Sequence, residues 1–314
     1  MEGVVILHES LNDLHRNKES GVVFKIDFEK AFDRVNWIRM MEALKSLGID
    51  WKDRRLIKEL YLRQEAVIRI EGIGSDPGTI GRGVRQGCPM SPLLFSIYTE
   101  MMMNEAMEGS NDGVRVGGEL IRDVRFVDDQ GMVDLCEEGL QRTMDRLNKT
   151  AKEYNMKINV KKTKTMVIST EEGSQVNIIV DGQRVEQVIK FKYLGSILSS
   201  DGRCLDDVKA RIGMAKDAFN KRRELLIKSF SKDLKKMMIK TLVWPVAMYA
   251  SETWTLRKQD VDRLNAFEWW TWRKMERVSY LDRKTNEEVL SSVGEKRSFT
   301  DAILNLKRIG LDMY

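Results

Sequence analysis

The chain has 314 residues, 42% of them hydrophobic and 32% charged, so it can bury a substantial core divided between two or three subdomains. Its net charge of +5 is compatible with a phosphate-bearing partner but does not demonstrate one. Three widely spaced cysteines, with no Cys-x-x-Cys pair and no long apolar run, argue against a disulfide-rich secreted protein, a zinc ribbon and a membrane span. We therefore expect an intracellular protein without a membrane partner, in the nucleus or the cytoplasm.

The N-terminal part of the chain is predicted to alternate between helices and strands. Apolar residues at helical spacing indicate a helix over residues 3–18, and a β-prone run over residues 22–26 indicates a buried strand that ends at Asp27. Asn36 can cap a helix over residues 37–47, which Gly48 can end. The next predicted elements are a helix over 51–62, a strand over 65–71, a loop or hairpin over 73–83, a second loop over 83–92 and a methionine-rich helix over 93–107.

A β-hairpin is predicted over residues 122–135. Two short apolar runs, at residues 124–127 and 132–135, flank the polar tip Asp-Asp-Gln-Gly. At a turn, the adjacent carboxylates of Asp128 and Asp129 can both lean toward one site, where a cation would relieve their repulsion. Magnesium suits such a site because it is a hard ion that prefers oxygen ligands. An ordinary Asx-type turn without a metal is the alternative.

The remaining elements divide the chain into two predicted domains. An amphipathic helix over 137–154 precedes strands over 156–160, 164–169 and 177–180, a turn at Asp181-Gly182, and a strand region over 190–198 interrupted at Gly195. After residue 202 nearly everything has a helical pattern, with a basic stretch over 221–240, Pro245 at a helix bend or end, and clustered tryptophans. We predict a mixed α/β domain over residues 1–202 and a helical domain over residues 203–314.

Three acidic residues stand at predicted strand ends: Asp27, Asp128 and Asp129. A two-metal phosphoryl-transfer site needs two or three convergent carboxylates, which hold two cations about 4 Å apart. The residue types fit this chemistry, although spacing alone does not prove that they converge.

Five segments resemble the motifs of reverse transcriptases from non-LTR (LINE-type) retrotransposons, in the same order and with similar spacing. They are residues 24–35 (motif A), residues 83–95 (motif B), Phe-Val-Asp-Asp at 126–129 (motif C), residues 159–164 (motif D) and residues 191–196 (motif E, the primer grip). Motif C departs mildly from the family pattern, because Val127 stands where the family has alanine. The tail, including residues 252–256 and the helix with Trp269-Trp270, is similar to the segment that follows the polymerase core in such elements.

The resemblance implies a fold and a function. The fold would be α+β, a right-hand polymerase palm with an antiparallel sheet backed by helices, followed by an all-helical thumb and tail. The function would be RNA-directed DNA polymerase activity, a two-metal nucleotidyl transfer to a primer 3′-hydroxyl with Mg²⁺ or, as the alternative, Mn²⁺. The implied partners are an RNA template, a DNA primer and deoxynucleoside triphosphates, and the oligomeric state is left open.

The resemblance also assigns roles to individual residues. The metal ligands would be Asp27, Asp128 and Asp129, and Lys162 would protonate or neutralise the leaving pyrophosphate, with Lys161 and Lys164 as competitors. The incoming nucleotide would meet Phe32 as a steric gate, Gln86 and Gly87, and the primer end would meet Tyr193, Leu194 and Gly195. The competing interpretations are core packing for Phe32, a simple turn at Gln86-Gly87, a solvated lysine face, and a hairpin corner at 193–195.

One feature departs from the family pattern. Only about 20 residues precede motif A, where a complete polymerase of this type carries its fingers subdomain. We therefore expect a chain truncated at the fingers and weakened in activity, because catalysis falls steeply when positioning groups are lost. The rival functions are an inactive retroelement remnant that binds nucleic acid, a two-metal nuclease using the same acids, and a structural helical protein whose tail binds a partner.

Overall fold

The computed structural model describes residues 2–17, 19–116, 118–127, 129–169, 173–227 and 230–311. The chain forms two compact units, one of residues 13–189 and the other of residues 1–12 together with 190–314.

Helices and strands both occur up to Ser199, and the described elements that follow are helical. The helices are α1 (Glu2–Asn17), α2 (Ala31–Arg34), α3 (Trp37–Ser46), α4 (Trp51–Tyr61), α5 (Ser91–Met107), α6 (Glu137–Glu153), α7 (Leu205–Lys221), α8 (Arg223–Ile227), α9 (Lys232–Leu242), α10 (Trp244–Met248), α11 (Lys258–Met275), α12 (Asn286–Val293) and α13 (Phe299–Leu311), with 3-10 turns at Ser251–Thr253 and Tyr280–Asp282. The strands are β1 (Gly21–Ile26), β2 (Glu65–Ala66), β3 (Arg69–Ile70), β4 (Ile73–Gly74), β5 (Gly78–Thr79), β6 (Val114–Val116), β7 (Glu119–Ile121), β8 (Asp123–Phe126), β9 (Asp129–Asp134), β10 (Lys164–Ile168), β11 (Ile179–Val180), β12 (Gln183–Arg184), β13 (Glu186–Gln187), β14 (Lys190–Tyr193) and β15 (Ser196–Ser199).

Strand β1 is the centre of a five-stranded sheet in the unit of residues 13–189. The strand order is β13-β10-β1-β9-β8, and β1 is antiparallel to both of its neighbours. Phe24 and Ile26 of β1 are fully buried in a core that also contains side chains from α3, α5 and α6. Because successive side chains of a strand point to opposite faces, Lys25 and the following Asp27 lie on the other face of the sheet.

Local sequence explains where the helices of this unit begin. The Asn36 side chain accepts hydrogen bonds from the backbone N–H groups of Ile38 and Arg39 at 2.9 and 3.3 Å, so it caps α3 as predicted. Helix α5 carries a proline in its first turn, where the missing N–H costs nothing. Both helices bury apolar residues in the same core as Phe24 and Ile26 of β1.

Two predicted strands were wrong. The strand predicted over 65–71 is divided into β2 and β3, because β2 pairs with β5 while β3 pairs with β4. The strand predicted over 156–160 is reduced to one isolated bridge between Phe28 and Ile158. The chain turns there instead, because the Asn159 carbonyl accepts hydrogen bonds from the N–H groups of Lys162 and Thr163.

The other unit combines the β14–β15 hairpin with helices. Its core is rich in aromatic side chains from α7, α10, α11 and α13, which include Phe219, Trp244, Phe267, Trp272 and Phe299. The basic stretch over 221–240 is spread over the end of α7, α8 and α9. Within the described part of the chain, no helix combines the length and apolar character needed to cross a bilayer.

Candidate active site

Asp27 is held at the end of β1 by hydrogen bonds of its own backbone. Its N–H donates to Thr163 Oγ1 at 3.3 Å, and its carbonyl accepts from the N–H of Asn159 at 2.8 Å. Its side chain is 34% exposed on the sheet face opposite the core. The Asn159–Thr163 turn therefore fixes the backbone of Asp27 and leaves the carboxylate accessible.

Asp129 is placed opposite Asp27 by the register of β1 and β9. Ile26 pairs with Gln130, so the next residues, Asp27 and Asp129, lie opposite each other at the end of the ladder. Opposite residues of an antiparallel pair point to the same face. The side chain of Asp129 is 36% exposed, and its Oδ1 lies 3.2 Å from Lys25 Nζ. One face of the sheet thus presents two carboxylates with a lysine beside them.

The β8–β9 turn is tighter than the sequence predicted. Phe126 pairs with Asp129 and Arg125 pairs with Gln130, so Asp129 and Gln130 belong to β9 and the predicted four-residue Asp-Asp-Gln-Gly tip was wrong. Val127, which follows β8, is in the left-handed region with φ of 55°. The buried Gln130 donates from Nε2 to the Val127 carbonyl at 2.9 Å and holds the turn. Asp128 lies outside the described residues, so its role stays a prediction.

Lys162 is the predicted lysine that lies beside Asp27. Its Nζ is 4.0 Å from Asp27 Oδ2, and its side chain is 71% exposed. Lys164 was an alternative candidate for the lysine that serves the leaving pyrophosphate. It pairs with Glu186 at 2.5 Å and also donates a hydrogen bond to the Lys161 carbonyl. Lys162 can therefore approach a ligand at Asp27, whereas Lys164 is held at the edge strand β13.

Phe32 lies on α2 and packs against α5. Its ring stacks on Phe95 with centroids 4.5 Å apart, and it is only partly buried. Its carbonyl accepts from the N–H of Val84 at 2.8 Å, which joins motif A to the loop of motif B. Gly83 in that loop has φ of 91°, and a Cβ there would lie 3.1 Å from backbone atoms of Phe32 and Asp33. The close approach of the two motifs therefore requires glycine at residue 83.

Gln86 and Gly87 are exposed in the same loop. Gln86 Nε2 donates to Asp33 Oδ1 at 3.3 Å, so Asp33 braces the loop locally. Gly87 has φ of 83°, a backbone angle that residues with a side chain rarely adopt.

Cys88 follows Gly87 in the chain. A hydrogen bond from the backbone of Met90 holds the pKa of the Cys88 thiol below its ordinary value.

Tyr193, Leu194 and Gly195 belong to the unit of residues 1–12 and 190–314 and form the corner between β14 and β15. Leu194 and Gly195 have φ of 45° and 85°, as a two-residue hairpin turn of type I′ requires. The Tyr193 side chain is fully buried, whereas Leu194 and Gly195 are partly exposed. A contact with a ligand would therefore come from the turn itself, with Tyr193 anchoring it from inside.

Both carbonyls of this turn are held by side chains that the sequence analysis did not single out. Arg211 donates to the Gly195 carbonyl at 2.6 Å, and Tyr249 donates from its hydroxyl to the Leu194 carbonyl at 2.8 Å. The Arg211 guanidinium lies over the Tyr249 ring, 4.1 Å from its centroid.

Asp207 anchors the same hairpin from within the protein. It is almost completely buried and accepts hydrogen bonds from Ser196 Oγ, the N–H of Ile197 and Trp254 Nε1 at 2.9–3.1 Å. Its Oδ1 also lies 3.9 Å from Arg211 Nε, a spacing of one helical turn on α7. That four-residue spacing of Asp207 and Arg211 is the signal in the sequence that could have found them.

The described candidate residues lie in separate groups. Asp27, Asp129 and Lys162 lie close to one another at the sheet, and Lys25 lies beside Asp129. Because alternate residues of a strand point to the same face, the sequence could have placed Lys25 on the face of Asp27. The α2–α5 region brings together Phe32 and Gln86 through the Gly83-Val84 backbone. Residues 193–195 lie in the other unit.

A comparison with protein families shows which family the chain belongs to. Residues 3–198 match the family described as reverse transcriptase (RNA-dependent DNA polymerase). The chain belongs to the reverse transcriptase family. The matched residues contain all five motifs, so the family resemblance inferred from the sequence is confirmed.

Curated relatives in this family come from mobile elements of the non-LTR type, which agrees with the LINE-type resemblance. A Pol polyprotein of the type-1 retrotransposable element R2 from Nasonia vitripennis is 28% identical over 64% of this chain and 20% of its own length. The RNA-directed DNA polymerase of the mobile element jockey from Drosophila funebris is 25% identical over 62% of this chain and 21% of its own length. The chain therefore spans about a fifth of the length of these reverse transcriptase relatives.

A solved telomerase structure resembles the chain only distantly. The apo telomerase of Candida tropicalis aligns over 99% of this chain and 53% of its own, with 15% sequence identity and a TM-score of 0.49. A similarity this low supports no further inference about the reverse transcriptase site.

Proposed function

We propose that this chain carries the palm of an RNA-directed DNA polymerase and transfers deoxynucleotides to the 3′-hydroxyl of a DNA primer on an RNA template. The observation that carries the proposal is the register that sets Asp27 opposite Asp129 on one sheet face, in a chain of the reverse transcriptase family. Residues 203–314 would supply the thumb and tail, and residues 1–202 the palm with residual fingers.

The carboxylates of the site fit a hard divalent cation. Asp27 and Asp129 offer oxygen donors that are about one-third exposed on the same face. Within the described residues no group of three or more acidic, histidine or cysteine side chains could hold a metal, and Asp128 would supply the third carboxylate. We assign Mg²⁺ to these three residues, with Mn²⁺ as the alternative. When bound, the metal would lower the barrier to attack by the 3′-oxygen and stabilise the charge of the pyrophosphate.

The protein's own residues would orient the nucleotide and accept the leaving group. The reaction forms a bond from the primer 3′-oxygen to the α-phosphorus and breaks the bond from that phosphorus to the bridging oxygen, which leaves with the pyrophosphate. The hydroxyl proton passes to solvent water. Lys162, whose side chain is 71% exposed, would turn from Asp27 toward the pyrophosphate and protonate or neutralise it. Gln86 and Gly87 would contact the nucleotide, and Phe32, fixed against Phe95, would lie below its sugar and disfavour a 2′-hydroxyl.

The β14–β15 turn would receive the primer end. Its partly exposed residues, Leu194 and Gly195, are rigidly held by Arg211 and Tyr249, which suits a contact that must position a reacting hydroxyl.

Primer extension tests the proposal directly. The purified chain, given an RNA template, a labelled DNA primer, deoxynucleotides and Mg²⁺, should lengthen the primer, and Asp27→Asn should reduce the rate at least about 100-fold, because the variant loses a charged metal ligand. Asp217→Asn is the matched control. Asp217 is an exposed acid that pairs with Lys221 on α7, so its loss should leave the rate unchanged.

Other products of the same assay would reject the proposal. Binding of the template–primer without any extension would identify a nucleic-acid-binding remnant. A primer shortened by wild type but not by Asp27→Asn would identify a nuclease.

A further inference from the structure

Helices α3 and α4 leave an open apolar groove on the surface of the unit of residues 13–189. Its volume is about 580 Å³, and its apolar lining comes from Trp37, Ile38, Met41, Trp51, Tyr61 and Leu62. Ile38 and Trp51 are 72% and 59% exposed. We refer to this surface as the α3–α4 groove.

Most apolar residues of α4 are exposed, since Trp51, Leu56 and Leu60 are at least 48% exposed, whereas Ile57 and Tyr61 pack with the core. Tyr61 is the one residue of Trp51–Tyr61 that is buried, although the helix has a distinct apolar side. An exposed apolar surface bordered by polar residues is typical of an interaction site.

The border of the groove is strongly basic. Lys45, Arg54, Arg55 and Lys58 line it, and its one acid, Glu42, is paired with Arg39 at 3.4 Å. Lys45, Arg55 and Lys58 form no ion pair with a carboxylate within the described residues. The groove therefore has positive charge to offer to a partner.

We infer that the α3–α4 groove binds an acidic amphipathic helix of a protein partner. Apolar side chains at every third or fourth position of such a helix would fill the space over Ile38 and Trp51, and its glutamates would meet the basic border. A nucleic acid fits less well, because phosphates would pair with the border but leave the aliphatic floor formed by Ile38, Met41 and Leu62 uncovered. The inference does not depend on whether the chain polymerises.

Fluorescence anisotropy with a designed peptide tests the inference. The probe is a labelled helical peptide with leucines on one side and glutamates on the other, and we expect saturable binding that weakens at least about tenfold in Ile38→Glu. The matched control is Ile73→Glu on β4, because Ile73 is equally exposed, at 77%, and lies outside the groove. Both variants change surface residues, and melting followed by circular dichroism verifies that they remain folded.

Charge reversal provides the second arm of the experiment. The Arg55→Glu/Lys58→Glu double variant should lose the glutamate peptide at least about tenfold and gain affinity for a lysine version of it. The inference is overturned if the peptide does not bind, if a scrambled peptide of the same composition binds equally well, or if Ile38→Glu binds like wild type. It is also overturned if a single-stranded RNA oligonucleotide, but not the peptide, loses affinity in the double variant, which would identify a nucleic-acid surface.

Discussion

Two lysines lie beside the carboxylates of the candidate active site and differ in their freedom. Lys25 extends from β1 toward Asp129, and its side chain is 23% exposed, whereas that of Lys162 is 71% exposed. An exposed ion pair at 4.0 Å contributes little to stability, so Lys162 can leave Asp27 at small cost when a more negative group arrives. A lysine that protonates or neutralises the leaving pyrophosphate would need to separate from Asp27 at such a small cost.

Replacement of Lys162 should therefore impair the reaction rather than the fold. We expect Lys162→Ala to lower the single-turnover rate of primer extension by about 10²-fold, the lower end for a lost general acid, and to change its pH profile, while the melting temperature stays within about 1–2 °C. Rapid-quench kinetics with a preformed template–primer complex would measure the rate.

Lys164→Ala is the matched control for this prediction. Lys164 is two residues away and pairs with Glu186, so its loss should leave the extension rate within about twofold. Equal losses in the two variants would mean that Lys162 acts through general charge and not through its place beside Asp27.

The β14–β15 hairpin shows how one buried carboxylate can organise an element. Asp207 accepts three hydrogen bonds, two of them from residues of β15, and its neighbour Arg211 holds the turn. Removal of the carboxylate would leave the Ile197 N–H and the Trp254 indole N–H without their acceptor in a buried setting, and buried unsatisfied donors are costly.

Asp207→Ala should accordingly destabilise the protein by about 3 kcal/mol, the value typical of a broken buried network. Urea denaturation followed by tryptophan fluorescence would measure the free energy of unfolding. Asp206→Ala supplies the control, because the neighbouring carboxylate is 41% exposed and pairs with Lys190 at the surface. A loss below about 1 kcal/mol in both variants would contradict an anchoring role for Asp207.

Elements governed by local chemistry were predictable from the sequence. Asn36 precedes an apolar-periodic run and does cap α3, and Asp181 and Gly182 have the positive φ values of the predicted turn. Elements governed by distant partners were not predictable. The division between β2 and β3 depends on which later strand each one meets.

The candidate active site was also predictable only where local sequence determines it. Asp27 could be assigned because a buried strand ends there, and the family motifs supplied its partners. The spacing of residues could not show that Lys25 meets Asp129 or that Thr163 fixes the Asp27 backbone, since both contacts depend on the register of three strands.

At the scale of the whole molecule, a buried histidine should make stability depend on pH. His8 in α1 is 5% exposed, and burial lowers its pKa from 6.5 to about 4, although the charge of Asp207 opposes this shift. The Nε2 atom of His8 has no hydrogen-bond partner within the described residues. Folding thus keeps this imidazole neutral at pH values where the unfolded chain would protonate it.

The sign of the effect follows from proton uptake by the two states. Between pH 6.5 and about 4 the unfolded state binds more protons at His8, so stability falls as the pH falls, by up to about 3 kcal/mol. Above pH 6.5 the histidine contributes no pH dependence. Urea titrations from pH 7 to pH 4.5 should show a shallower decline for His8→Gln than for wild type. Parallel curves for the two proteins would contradict the assignment.

The segment between β8 and β9 contains a valine in a strained backbone conformation. Val127 is β-branched and yet sits at φ of 55°, a conformation that costs such residues roughly 1–3 kcal/mol. Glycine or asparagine would adopt it without that cost. A directed-evolution screen that selects for heat tolerance alone should therefore replace Val127 early. The selected variants would have higher thermal stability, but the orientation of the Asp129 side chain would be less well defined.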